Sequence, residues 1–293
     1  MSNYFLEYKL IKKKIGMKTI LVPTDFSKNA ENAVDYAIHL AKTENAKIIL
    51  LNAYYVMYLN PESGLDFMAE QGFTMRENSA EKLKQLSDKI EKTEKIECEF
   101  ISIEGMTVDS IVEIAEKRNV DFIVMGTQGA SGIKKAFMGS NTVKVIGLTS
   151  RPLIAVPEKA SFNGNKSIVF ATDYQRSDMK VLKELAEIAK KLNAKIHIVH
   201  VVNGETDFSF EEVTLKNFAD KVKTKLKYPL VTYKLLYGND VEKKLSEYLK
   251  KEATDLLGVN TKNRNFFERF FGKSITKKLA YHTAVPLMVF HHN

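Results

Sequence analysis

Val120-Asp-Phe-Ile-Val-Met125 runs straight into Gly126-Thr-Gln-Gly129-Ala-Ser-Gly132, and nine residues separate Gly129 from Gly139-Ser140-Asn141-Thr142. The apolar run Phe122–Met125 reads as a buried strand. The glycines that end it mark a loop where main chain must approach something closely. Glycine reaches φ > 0 and carries no Cβ, so several N–H groups can turn toward one anion. Ser140 and Thr142 add hydroxyl donors at the start of a predicted helix, whose N-terminus favours negative charge. The stretch reads as a cradle for a triphosphate.

Around this stretch, 293 residues suffice for two ordinary domains, and 44% apolar content is globular. No run of about 18 uncharged apolar residues occurs, so no membrane span is expected. Residues 1–16 mix charge into their apolar part and lack a secretory hydrophobic region. They read as an N-terminal extension, with Met17 a candidate start. The single cysteine, Cys98, excludes an internal disulfide framework and points to a reducing, cytoplasmic location. It alternates with Ile96 and Phe100, the place of a strand residue rather than a nucleophile. The net charge of +8 is uneven: residues 1–158 hold 20 Lys+Arg against 21 Asp+Glu, and residues 159–293 hold 24 against 15. Such asymmetry can mark an anionic partner. No aromatic-interleaved basic stripe accompanies the lysines, so a solvated surface is the preferred reading and nucleic acid is not expected.

The chain repeats itself. Thr19-Ile-Leu-Val-Pro-Thr24-Asp25-Phe26 matches Ser167-Ile-Val-Phe-Ala-Thr172-Asp173-Tyr174, and Asn45-Ala46-Lys47-Ile48 matches Asn193-Ala194-Lys195-Ile196. Each copy closes on a similar strand, Arg151-Pro152-Leu-Ile-Ala-Val156 and Val285-Pro286-Leu-Met-Val-Phe290. A period of about 140 residues suits a duplicated domain rather than a solenoid. The divisions that follow are residues 1–16, a first domain 17–158, a linker 159–165 and a second domain 166–293.

Within the first copy, strands are expected at Thr19–Thr24, Lys47–Asn52, Glu97–Ile103, Asp121–Met125 and Leu153–Val156. Helices are expected at Asn29–Glu44, Ala69–Thr93, Thr107–Arg118 and Ser140–Thr149, with Ser27 capping the first. Apolar strands alternating with amphipathic helices imply an α/β fold: two tandem Rossmann-like, doubly wound domains. Each is a five-stranded, mainly parallel sheet covered on both faces. Ligands on such sheets sit beyond the carboxyl ends of the strands where strand order reverses, and Asp25 and Gly126 each end a strand there.

These residues resemble the universal stress protein family. The resemblance rests on Pro23-Thr24-Asp25 at a strand end, on Gly126-x2-Gly129-x9-Gly139-Ser140, and on the closing strand Pro152-Leu-Ile-Ala-Val156. It covers the chain after Met17 as a tandem of two domains. It implies a cytoplasmic stress-response module whose first domain binds ATP; whether Mg²⁺ accompanies the nucleotide is left open. Carried onto this sequence, Asp25 would lie beside adenine and ribose with Pro23 and Thr24 as the wall. Ala53, just past the second strand, would meet adenine through its backbone, and Met125 would line the ribose side. Gly126, Gly129, Gly139, Ser140, Asn141 and Thr142 would wrap the phosphates. Gln128 stands where the family often has a basic or histidine side chain. The resemblance also implies pairing of the two domains along their last strands, burying Leu153, Ile154, Leu287 and Val289; a homodimer is left open.

Other chemistries fail on spacing. A dinucleotide fingerprint needs glycine at position 128, and a P-loop ending in Gly272-Lys273-Ser274 needs glycine at position 267, where Phe267 stands. The six histidines show no metal-ligand spacing, and neither a nucleophile elbow nor paired carboxylates occur, so any ATP hydrolysis should be slow. The second copy keeps Asp173, but with Gly258 aligned to Gly126, Thr261 and Lys262 stand where the next glycine is needed. It reads as degenerate. The alternatives to nucleotide binding are a nucleotide-free scaffold and a slow ATP hydrolase.

Overall fold

The computed structural model describes residues 17–55, 65–127, 139–164, 166–202, 208–260 and 285–292. The first copy runs β1 (Lys18–Pro23), α1 (Lys28–Glu44), β2 (Ala46–Tyr54), α2 (Leu65–Glu94), β3 (Cys98–Glu104), α3 (Thr107–Lys117), β4 (Phe122–Gly126), α4 (Ser140–Leu148) and β5 (Leu153–Val156). The second runs β6 (Ser167–Ala171), α5 (Asp178–Leu192), β7 (Lys195–Val202), α6 (Phe208–Leu226), β8 (Val231–Tyr237), α7 (Val241–Lys251), β9 (Leu256–Asn260) and β10 (Leu287–Phe290). The ten strands among the described residues form one sheet, ordered β3-β2-β1-β4-β5-β10-β9-β6-β7-β8. Every pair is parallel except β5 with β10. Each half thus has the doubly wound order 3-2-1-4-5, reversing between its first and fourth strands.

The strands are buried on both faces, which is why they read as continuous apolar runs. Ile20 and Val22 enter one core layer and Leu21 enters the other, all three fully buried. Helix α1 packs Ala33, Ala37, Leu40 and Ala41 on the sheet, starts where Ser27 Oγ accepts the Ala30 N–H at 3.3 Å, and stops at Asn45 in the left-handed region (φ 50°). Asparagine tolerates that conformation and so closes the helix; Asn193 (φ 51°) does the same after α5. The elements expected in the first copy are present, with no end shifted by more than four residues and β5 matching at both ends. The largest functional shift is in β2, which continues through Ala53 to Tyr54 because β3 goes on pairing after β1 has ended.

At the seam, Leu153 faces Val289, Ile154 faces Met288 and Ala155 faces Leu287 in antiparallel register. Ile154 and Met288 hold the same place in their repeats, so a pseudo-two-fold axis passes beside that pair. Leu153, Ile154 and Val289 are buried as expected, but Leu287 is only half-buried; Met288 is the fully buried residue there. The linker is held against the first half, and one ion pair crosses to the second. Asn32 Nδ2 donates to the carbonyls of Pro157 (2.8 Å) and Ala160 (2.9 Å), and the Phe162 ring stacks on His39 and meets Tyr36 edge-on, each at 5.2 Å. The fully buried Glu44 carboxylate binds Lys18 at 2.5 Å and, across the seam, Lys191 at 2.7 Å.

Candidate functional site

The carboxyl ends of β1, β2 and β4 and the N-terminus of α4 surround a cleft of about 310 Å³. Pro23, Thr24 and Asp25 line it from the end of β1, Ala53 from β2, Met125 and Gly126 from β4, and Gly139, Ser140, Asn141 and Thr142 from α4. Gly129, Gln128 and Gly132 lie outside the described residues. Ala30, Leu51, Asn52, Thr107 and Ile111 also line the cleft and were not anticipated from the sequence. A helix start at Thr107, two residues after Gly105, was the available signal for that last pair.

A tight turn sets the end of β1. The Thr24 N–H donates the last ladder bond to Leu51 O (2.8 Å), Thr24 Oγ1 accepts the Phe26 N–H (3.0 Å), and Asp25 Oδ1 accepts the Ser27 N–H (3.0 Å). Phe26 sits at φ 62°, and Tyr174 sits at φ 60° in the same turn of the second copy, where Thr172 Oγ1 accepts its N–H. Asp25 is exposed at the cleft mouth with one carboxylate oxygen engaged by the turn. Among the described lining residues it is the one ionisable side chain, and none is basic.

Three expectations about the cradle need correction. The Gly139 N–H donates to the Thr127 carbonyl at 2.5 Å, so this amide is taken. The buried Thr142 hydroxyl donates to the Gly126 carbonyl at 2.9 Å; it braces α4 against β4 rather than offering a free donor. Gly126 is small for a neighbour: a Cβ there would lie 2.0 Å from Asn29 Oδ1 on α1. Among the described residues, what remains open toward the cleft is the first turn of α4. The amides of Ser140, Asn141 and Thr142 have no intrahelical acceptor, and Gly139 as N-cap supplies no side-chain oxygen to cover them. Together with the Ser140 hydroxyl they form a cluster of donors on a positive helix end.

Ala53 contributes main chain. Peptide groups of successive strand residues point alternately to the two neighbours. Ile48 N–H and Tyr54 C=O bond toward β3, whereas Leu51 C=O bonds toward β1. Ala53 therefore directs its N–H and C=O to the β1 side, just beyond the point where β1 ends. It lies inside β2 rather than past it, and its peptide edge faces the cleft.

The second copy is filled at the matching place. By sheet register Asn260, not Gly258, corresponds to Gly126, since β4 ends Gly126↔Val156 and β9 ends Asn260↔Phe290. Gly258 is two residues earlier, where a Cβ would only touch Phe170 and Leu185. Asn260 Nδ2 donates to Ser177 Oγ (3.0 Å) and to Asp178 Oδ1 (3.2 Å). Asp178, where the first copy has Ala30, is buried, and its Oδ2 accepts the Thr172 hydroxyl (2.6 Å) and the Gln175 N–H (3.2 Å). Burial pushes its carboxyl pKa up; the Thr172, Asn260 and Gln175 hydrogen bonds oppose that, and Asp173 adds to it. Asn29 on α1 has thus been exchanged for an asparagine on the strand, and a carboxylate stands where the first copy leaves space. Lys262, Arg264 and residues 266–274 lie outside the described residues.

No group of three His, Cys, Asp or Glu side chains suited to a metal occurs among the described residues, and no described helix is long and apolar enough to cross a membrane. Cys98 is buried in β3, which pushes its thiol up to about 12.

The model of the Universal stress protein family matches residues 16–157 and again 164–291. The chain belongs to the universal stress protein family. A universal stress protein of Synechocystis is 25% identical over 297 residues, covering 94% of this chain and 100% of the relative. Another, from Methanocaldococcus jannaschii, is 34% identical over 161 residues, 53% of this chain and 91% of its own. Among solved structures, a universal stress protein of Archaeoglobus fulgidus superposes with a TM-score of 0.73 at 21% identity, over 93% of this chain and 98% of its own; at that identity the likeness concerns the fold.

Proposed function

We propose that the first half of this universal stress protein binds an adenine nucleotide, ATP, in the cleft between β1, β2 and α4. In this reading the chain is a cytoplasmic stress-response module whose partner contacts depend on the nucleotide. The observation that carries the reading is convergence. Ten residues singled out from sequence, drawn from four separate elements, line one cleft at the strand-order reversal. A peptide edge at Ala53 for the base and the open α4 amides for the phosphates fit the two chemical ends of a nucleotide. With no basic side chain among the described lining residues, main-chain dipoles and the Ser140 hydroxyl would bear the phosphates. With Asp25 as the single described carboxylate there, the cleft is arranged to hold rather than to hydrolyse.

Titration calorimetry tests this with wild type and Gly139→Val. Gly139 has φ −58° and ψ 150°, a conformation valine adopts without strain, so the variant should fold and fail to bind ATP. A wild type that takes up no ATP heat signal sinks the reading and leaves the scaffold alternative.

A further inference from the structure

In a parallel ladder, a residue whose N–H donates to residue j of its neighbour receives at its C=O the N–H of residue j+2. Thr24 donates to Leu51 O, so the next rung would bring the Ala53 N–H onto the Thr24 carbonyl. That rung is not part of the ladder, which ends at Pro23↔Leu51. Instead Asn52 Nδ2 reaches the Thr24 carbonyl at 2.7 Å. The orientation of this amide is fixed chemically. A carbonyl can only accept, so the NH₂ must face Thr24, and Asn52 Oδ1 accepts the Ser79 hydroxyl at 2.7 Å. Ser79 Oγ also lies 2.7 Å from Ser102 Oγ, which ties the amide through α2 to β3.

The second copy repeats the device with a different residue. Thr172 donates to Val199 O (3.0 Å), the β6–β7 ladder ends at Ala171↔Val199, and the Thr172 carbonyl is met by His200 Nδ1 at 2.6 Å. His200 and Asn52 occupy the same place in their repeats. Two unlike side chains therefore stop the same ladder at the same rung.

We infer that Asn52 is a positioning residue for the base: by capturing the Thr24 carbonyl it stops the β1–β2 ladder one rung early and keeps the Ala53 N–H and C=O available to the donor–acceptor edge of a purine. This rests on the nucleotide reading, but its structural half can be tested without ligand. Asn52→Leu removes the donor while Ser79 keeps Ser102, so the ladder closes and the Ala53 amide is consumed. Asn52→His installs the second copy's residue and keeps it open. Residue-resolved hydrogen exchange on the ligand-free protein should show the Ala53 amide protected at least about tenfold more in Asn52→Leu than in wild type, with Asn52→His like wild type. Calorimetry should show ATP affinity about tenfold weaker in Asn52→Leu, the size of one net hydrogen bond, and unchanged affinity for inorganic tripolyphosphate, which has no base. Equal Ala53 exchange in Asn52→Leu and wild type overturns the inference. So does an equal loss of ATP and tripolyphosphate affinity, which is the mark of a general structural defect. Wild type that shows the exchange difference yet binds no ATP overturns the nucleotide reading while the ladder interruption stands.

Discussion

At the scale of single residues, Gly126 shows how a correct expectation can have another cause. The sequence marks it as a place where no side chain fits, and none does, yet the atom in the way belongs to Asn29 on α1. A glycine's need for space is visible in one dimension; the identity of its neighbour is set by how helix and strand pack. Gly126→Ala should cost about 1–3 kcal/mol in urea unfolding, the usual penalty of overpacking. Asn29→Ala in the same chain should restore most of it, a coupling that a double-mutant cycle reads directly. Asp178 yields a pH prediction. Its folded pKa is raised, so the folded state holds a proton more tightly than the unfolded chain. Stability should then fall as pH rises from the ordinary carboxylate value to the raised one and level off above it. Asp178→Asn should flatten that part of the stability–pH profile, because an amide has no proton to lose in this range. Cys98, with its thiol pushed up to about 12, should resist Ellman's reagent at pH 8 until the chain unfolds.

At the scale of elements, short apolar runs marked the five strands of the first copy and a period of 3.6 marked its four helices, because the central strands are buried on both faces and each helix on one. Their ends were less legible. Whether β2 stops at Asn52 or Tyr54 depends on β3 still pairing when β1 has turned away, and no local residue encodes that. The match between the repeats is hidden for the same reason: Gly258 shares its residue type with Gly126, whereas sheet register equates Asn260 with Gly126. The closing strands Leu153–Val156 and Leu287–Phe290 were visible as a pair, but their antiparallel register shows which side chains matter. Leu153→Asp buries an unpaired charge at the seam and should destabilise the chain by about 4 kcal/mol or more in chemical denaturation. Leu287→Asp, on a half-buried position, should cost less than half as much.

At the scale of the whole molecule, duplication has produced two halves with one topology and two kinds of strand end, one open and one stoppered by Asp178 and Asn260. Mass spectrometry of a denatured extract, or calorimetric stoichiometry, should therefore give about one ATP per chain rather than two. The antiparallel pair at the centre adds a geometric consequence. Because the second half runs in the opposite sense, the carboxyl tips of its strands emerge on the far rim of the shared sheet. Under the proposed function, a nucleotide bound at one rim would be read by whatever touches the Ser140 turn, while Asp178 and Asn260 stopper the matching strand end on the other, so one edge of the molecule would report and its opposite edge would not.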